Sequence, residues 1–252
     1  MTMYKVTVIT VVYNAESSIE KSILSVKRQS QRGVQHLLID GMSTDKTLDI
    51  IKQHSHQDMI VISEKDNGIY DAMNKGLALA KGEVVGFLNA DDFYANDHVL
   101  KEVVANFGNP DVDVCYANLD YVVAGHEEKV VRRWRSNPFT VGLFARGWSP
   151  AHPTFFVRRS ILSRLGFYDL SISIGNDVEW MMRALEVLKL KSVFIPRVWV
   201  KMSTGGQSNQ SVKNIILQNI EIWRALKKFN LQATLISFLF FKLLSRIRQR
   251  FV

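Results

Sequence analysis

The 252-residue chain has a single cysteine, Cys115, and that scarcity excludes two kinds of architecture. One thiol cannot close an intrachain disulfide, and no second cysteine stands by for a zinc site. It sits in the strand-like run DVDVCYANLDYV and reads as a buried core thiol in a reducing compartment. Long hydrophobic runs are also missing: no segment offers the roughly 20 clean apolar residues that span a bilayer. The start, MTMYKVTVITVVYNAE, lacks a basic leader, and Tyr13-Asn14-Ala15-Glu16 is a poor cleavage site, so it reads as a first buried strand. There is no internal repeat and no low-complexity tract. Acidic residues are absent from Arg224 onward, where Lys227, Lys228, Lys242, Arg246, Arg248 and Arg250 fall. The net charge of +8 is therefore partly a property of the tail, and it points to an anionic partner.

What is present is an ordinary globular composition, 47% hydrophobic and 22% charged, enough for a full core. The first hundred residues alternate strand and helix patterns. KVTVITVVY, VQHLLID, DMIVISE and EVVGFLN are strand-like. Between them come ESSIEKSILSVKRQS, with a capping box at Ser17 and Glu20, then GMSTDKTLDIIKQH, then NGIYDAMNKGLALAKG. The last of these places Ile69, Ala72, Met73, Leu77 and Ala80 on one face. Such alternation predicts a mostly parallel sheet covered by helices, which binds ligands at the carboxyl ends of its strands. Tyr13-Asn14, Asp40-Gly41, Glu64 to Asn67 and Asn89 to Asp92 all fall at those ends.

From about Asp97 the pattern becomes mixed. It reads as a helix, a hairpin across DVDVCYANLDYVVAG and KVVRRWR, a short strand and helix in HPTFFVRRSILSRLG, the helix of GNDVEWMMRALEVLK, and a strand in LKSVFIP. After KMSTGGQSNQS the chain is helical. LQATLISFLFFKLLSRIRQRFV puts apolar residues before basic ones, which suits a helix on an anionic membrane surface, a packed terminal helix or an oligomer contact.

Four polar clusters could carry chemistry. Asp91-Asp92 follows a buried strand, where two adjacent carboxylates suit Mg²⁺ or Mn²⁺; the bland alternative is a loop capping the next helix. In IDGMSTDKT, Ser43 to Asp45 read as turn residues, while Asp40 could accept hydrogen bonds from a base or ribose. Asp71, Asn74 and Lys75 share a helix face, which is either solvated or places Asp71 and Lys75 near a nucleotide. In GNDVEW, Asp177 either caps a helix or faces substrate, and Glu179 diverges from it. No Ser–His or Cys–His pairing offers a protein nucleophile, and YNAESS is not the Gly-rich, basic phosphate loop of a nucleotidyltransferase. The cations cluster in an apolar tail rather than on an aromatic-interleaved face, which argues against nucleic acid. His152 reads as structural.

The ordered set VTVITVVYNAESSIEKSILSV, LLIDGMSTDKTLDII, EKDNGIYDAMNKGLALAKGEVVGFLNADD, HPTFFVRRSIL, GNDVEW and GGQSN resembles family 2 glycosyltransferases of the GT-A fold, from Val6 to about Asn209. Within that family it is most similar to bacterial enzymes that build surface polysaccharides and O-antigen-like glycans. The resemblance implies a Rossmann-like catalytic domain over 1–205, with a nucleotide-sugar half (1–95) and an acceptor half (96–205), followed by a helical segment (206–252). It implies that Thr10, Val12, Tyr13 and Asn14 line the nucleotide pocket and that Asp40 binds the base, usually uracil. Asn89 to Asp92 would be the metal motif, with Asp91 toward the donor's ribose or sugar and Asp92 toward Mg²⁺ or Mn²⁺ and the diphosphate. Asp177 would be the general base of an inverting transfer. Asn176 replaces the family's usual Glu, and Met73 replaces an Arg often found before the Asn of the third helix. The implied partners are a nucleotide-sugar donor, most simply a UDP-sugar, and a glycan or polyprenyl-diphosphate-linked acceptor. The implied location is the cytoplasmic face of a membrane. A nucleotidyltransferase and a non-catalytic nucleotide-sugar binder remain as alternatives.

Overall fold

The computed structural model describes residues 4–203, 212–231 and 234–249. The GGQSN segment lies outside them. In chain order the first half comprises β1 (Val6–Val12), α1 (Ile19–Lys27), β2 (Val34–Asp40), α2 (Thr47–Gln53), β3 (Met59–Ser63), α3 (Ile69–Leu79) and β4 (Val84–Phe87). The second half comprises β5 (Asp92–Tyr94), α4 (Val99–Asn106), β6 (Val114–Val123), β7 (His126–Trp134), β8 (Phe156–Arg158), α5 (Leu162–Leu165), α6 (Asn176–Met182) and β9 (Ser192–Ser203). Two helices follow, α7 (Val212–Lys228) and α8 (Leu235–Arg248).

All the strands join one sheet in the order β3-β2-β1-β4-β8-β6-β9-β5, with β7 paired to β6. The first four run parallel, and β1 and β2 are buried along their whole length, as their β-branched runs require. The second part is mixed: β8 lies antiparallel between β4 and β6, whereas β6 and β9 are parallel. The β4–β8 contact is close because residue 86 is glycine; a Cβ there would lie 2.3 Å from the Phe156 ring. Cys115 is buried, as its strand context predicts.

Four local expectations change. The Ser17–Glu20 capping box does not form: α1 begins at Ile19 with no side-chain cap, and Glu20 instead meets His54 Nε2 at 3.3 Å. Ile69 leaves the buried face of α3 because it opens onto a cleft. The Asp pair caps no helix, since Asp92 begins β5 and pairs with Met202 while α4 starts at Val99. The helix after GNDVEW widens into a π turn at Arg183–Val187.

The main core packs Phe87, Tyr116, Phe155 and Trp180 together with Ile222 and Leu226 of α7 and Phe238 of α8. Burying a Phe side chain is worth about 1.5–3 kcal/mol. The terminal helices therefore belong to the same hydrophobic core as the sheet.

Candidate active site

A cleft of about 1100 Å³ opens where the parallel strands end. Its walls gather segments remote in sequence. After β1 the chain turns through Tyr13 and Asn14, and both line the cleft. Asn14 takes the left-handed backbone region at φ 47°, which asparagine tolerates well. Its Oδ1 accepts the Thr44 amide at 2.8 Å, and its own amide donates to Ser43 Oγ at 2.9 Å. This ties the β1 turn to the turn after β2. Asp66 stands beside them and holds the approach to α3 by accepting the Gly68 amide.

Asn89, Ala90 and Asp91 form the next part of the wall. Asp91 is partly buried, and that burial raises its carboxyl above the ordinary carboxylate range. Asp92 lies behind it, 1% exposed and off the cleft wall. Burial first, and the neighbouring Asp91 second, push its carboxyl well above the usual range. Asn89 Nδ2 donates to Asp92 Oδ2 at 2.8 Å, while Asp92 Oδ1 is buried without a hydrogen-bond partner.

The first turn of α6 lines the same cleft. Gly175 precedes it with φ 79°, so the N-cap is the glycine and not Asp177. Asp177 is half-buried and lines the cleft. Its turn is held by Asn176, which is fully buried: its amide donates to Tyr70 Oη at 3.2 Å and its Nδ2 to the Asp169 carbonyl at 2.7 Å. An asparagine can donate to that carbonyl and an ionised glutamate cannot, which accounts for the residue at 176. Glu179 points away and is buried in ion pairs with Arg183 and Lys228. His152 also lines the cleft, paired through Nε2 with Tyr168 Oη at 2.8 Å. Burial lowers its pKa, with Asp177 pulling the other way.

Of the residues singled out by sequence, Val12, Tyr13, Asn14, Asn89, Asp91 and Asp177 come together on this cleft. Five do not line it. Thr10 is buried and pairs with His36 Nε2 at 3.0 Å; burial, and secondarily His56, push that imidazole down to about 3, so it is neutral. Asp40 is buried and accepts from the Ser43 amide and hydroxyl and from Ser63 Oγ, so its carboxylate braces the turn. Asp71 caps the Asn67 turn through the Asn67 amide and Nδ2. Lys75 reaches Glu64 at 2.9 Å and the Lys65 carbonyl at 2.8 Å, on the outer side. Asp92, expected toward the cation, is covered and off the cleft wall, whereas Asp91, expected toward the donor, lines it. Sequence reading passed over Tyr70, Arg132, Trp134, Arg135, Trp148 and Lys242, all on the cleft wall. Asp66 was visible only as part of a polar cluster at a strand end. Tyr70 lies in the first turn of α3, and the rest come from β7, the segment after it and α8, without a local motif.

Among the described residues no three His, Cys, Asp or Glu side chains form a metal cluster. The donor set nevertheless fits a hard cation that keeps waters and takes substrate phosphate oxygens, which needs only one or two protein carboxylates. Asp91 faces the cleft, and the unpartnered Asp92 Oδ1 lies behind it.

Residues 7–166 match the sequence profile described as Glycosyl transferase family 2. An uncharacterized glycosyltransferase of Mycobacterium tuberculosis is 33% identical over 184 residues, 71% of this chain and 68% of that protein. S. aureus TarS 1-349, solved with UDP-GlcNAc, superposes with a TM-score of 0.66 at 20% identity, covering 90% of this chain and 68% of that one. Against a longer TarS chain, the match covers 40% of the TarS length. The mannosyltransferase PcManGT from Pyrobaculum calidifontis, solved with GDP-Man and Mn2+, gives 0.66 at 19% identity over 96% of this chain and 70% of that one. These two likenesses establish the GT-A fold.

Proposed function

Because the chain belongs to glycosyl transferase family 2, we propose that this glycosyltransferase moves a sugar, with inversion, from a nucleoside-diphosphate sugar, taken as a UDP-sugar, to a hydroxyl of a glycan or lipid-linked saccharide. The observation that carries the reading is the shared cleft: Asp91 and Asp177, from opposite halves of the chain, line the same space as the Tyr13–Asn14 turn. Support for the donor class comes from the nucleotide sugars held by TarS and PcManGT.

The chemistry is a single displacement. The acceptor hydroxyl attacks the anomeric carbon while the bond from that carbon to the diphosphate oxygen breaks on the opposite face. Asp177 takes the hydroxyl proton. Asn176, Tyr70 and the Asp169 carbonyl hold the turn that aims it. Tyr13, Asn14 and Asp66 provide the nucleotide side of the cleft. A divalent cation held at Asp91 would offset the charge developing on the leaving diphosphate. One displacement needs one base and no protein nucleophile.

The location proposed is a membrane surface on the cytoplasmic side. Among the described residues no helix is long and apolar enough to cross a membrane. α8 does expose Leu235, Leu239, Phe240, Phe241 and Leu243, and the chain carries no acid beyond Glu221.

The test is a panel of nucleotide sugars with Mg²⁺ or Mn²⁺, scored for acceptor-dependent release of nucleoside diphosphate. The expected result is release from one UDP-sugar. Asp177→Asn should lower turnover about 10²–10⁴-fold and leave UDP affinity within a factor of two. Near-normal turnover by that variant would remove Asp177 as the base, and binding without turnover of any sugar would leave a nucleotide-sugar binder.

A further inference from the structure

The charges on the cleft wall are segregated. Asp66, Asp91 and Asp177 occupy the side built from the first sheet half and α6; Arg132, Arg135 and Lys242 occupy the side built from β7 and α8. The acids suit a cation, a nucleoside and a transferable proton. They give no reason for three cations at the other end.

Those cations are held in place. The Arg132 guanidinium lies over the Tyr121 ring at 4.8 Å and the Trp134 ring at 5.3 Å, and its Nε donates to Gln249 Oε1 at 2.8 Å. Arg135 is fixed by Asp120 at 2.6 Å, which offsets part of its charge. Lys242 sits where α8 crosses Gly147; a Cβ at 147 would lie 2.9 Å from the Lys242 Cα. The Gln249 carbonyl accepts the Arg133 amide at 3.0 Å, so the residue after α8 is stitched to β7.

Sheet register sets the spacing. Asp92 pairs with Met202, Met202 with Tyr121 and Tyr121 with Arg132, one row across four strands. Three inter-strand steps separate Arg132 from the Asp pair by roughly 14 Å. That spacing leaves room for a second anionic group beside a diphosphate bound at Asp91. Beside Lys242, on the outer side of the same helix, Leu239, Phe240 and Leu243 are exposed. Cations on the cleft side and apolar side chains on the outer side match an amphiphile whose anionic group separates sugar from lipid.

Resting on the transferase reading, we infer that Arg132, Arg135 and Lys242 form an anion subsite at the acceptor end of the cleft. It takes the phosphate or diphosphate ester through which a lipid carries the acceptor saccharide. Arg132 supplies a guanidinium fork whose Nε and Nη2 are held on Gln249 Oε1, with its charge serving the phosphate oxygens, and Trp134 and Trp148 line the wall toward the adjoining sugar.

The experiment is calorimetric titration of the full chain with farnesyl diphosphate, in the presence of saturating UDP so that the donor end is filled. Saturable binding is expected, with farnesol failing to bind and inorganic pyrophosphate binding more weakly. Arg132→Gln should raise the dissociation constant about ten- to hundredfold, and Lys242→Gln less, with UDP affinity unchanged. Arg132→Lys, which keeps charge without the fork, should fall between wild type and Gln. Loss of farnesyl diphosphate binding when UDP is added, equal binding of pyrophosphate, or indifference to both Gln variants would overturn the inference. If Arg132→Gln does not fold, Lys242→Gln and Arg135→Gln carry the same comparison. UDP titrated alone separates the two readings: failure there removes the donor reading and leaves the subsite result standing.

Discussion

The Asp91–Asp92 pair shows how one peptide step divides two chemically identical groups. Asp91 ends the turn after β4 and opens to the cleft, whereas Asp92 begins β5 and is buried in the sheet layer. Asp92 is covered, and its carboxyl is held above the carboxylate range, first by burial and then by Asp91. The folded chain therefore keeps that proton to higher pH than the unfolded chain. The stability this provides is complete below the ordinary value of 3.8 and is lost as pH rises through the folded value. Asp92→Asn should accordingly raise the melting temperature of the metal-free protein at pH 7 by about 2–4 °C, the shift for roughly 1 kcal/mol in a chain of this size. It should also flatten the melting temperature between pH 4.5 and 8; a lower value at pH 7 would contradict the burial argument. Asp91→Asn should leave the melting temperature near wild type and reduce metal-stimulated UDP affinity about tenfold or more, measured by titration with and without Mn²⁺.

At the level of elements, the loops between strands and helices absorb most of the polar residues that sequence reading placed near a ligand. Asp40, Asp71 and Lys75 brace turns, and Asn74 makes two bonds to the Tyr168 backbone that tie α3 to the loop before α6. Their value lies in holding Asn14, Asp66 and Asp177 in place. The α8 crossing depends on Gly147, whose φ is 70° and whose missing Cβ leaves room for Lys242. Gly147→Ala should cost about 1–2 kcal/mol for the left-handed conformation alone, and more for the contact. Gly125→Ala is the control, since Gly125 has φ 76° and nothing within 4 Å of a Cβ. Thermal melts should show the larger loss at 147. Amide exchange across 235–249 should accelerate in Gly147→Ala and not in Gly125→Ala.

At the scale of the whole molecule, α8 has two roles. Phe238 is buried in the main core, and Phe238, Lys242 and Gln249 line the cleft; Phe240 and Leu243 are 62% and 60% exposed. The sequence alternatives of a packed helix and a membrane-facing helix are therefore compatible. Deleting α8 would strip the core and the cleft wall together. The cleaner variant is Phe240→Glu with Leu243→Glu, which changes only exposed positions. It should retain the wild-type melting temperature within about 2 °C. It should also lose most co-sedimentation with vesicles containing anionic phospholipid. Undiminished sedimentation would leave α8 as a packing helix.

The strand–helix alternation, the buried parallel strands and the positions of Asp91 and Asp177 were legible in the amino-acid sequence, because hydrophobic periodicity is local and both acids adjoin sharp apolar patterns. Thr10, Asp40, Asp71 and Lys75 could not be sorted the same way. Whether a polar side chain at a strand end faces substrate or braces a turn depends on the partner across the fold: His36 for Thr10, Ser63 for Asp40, Glu64 for Lys75. Arg132, Arg135 and Lys242 carry no motif at all, and only sheet register and helix crossing bring them to one wall. The sequence alone determined the family fold and two of the three cleft carboxylates, Asp91 and Asp177. Tertiary structure decided which of two adjacent acids faces the cleft and that a distant helix closes it, because those facts are set by burial and contact between segments far apart in the chain.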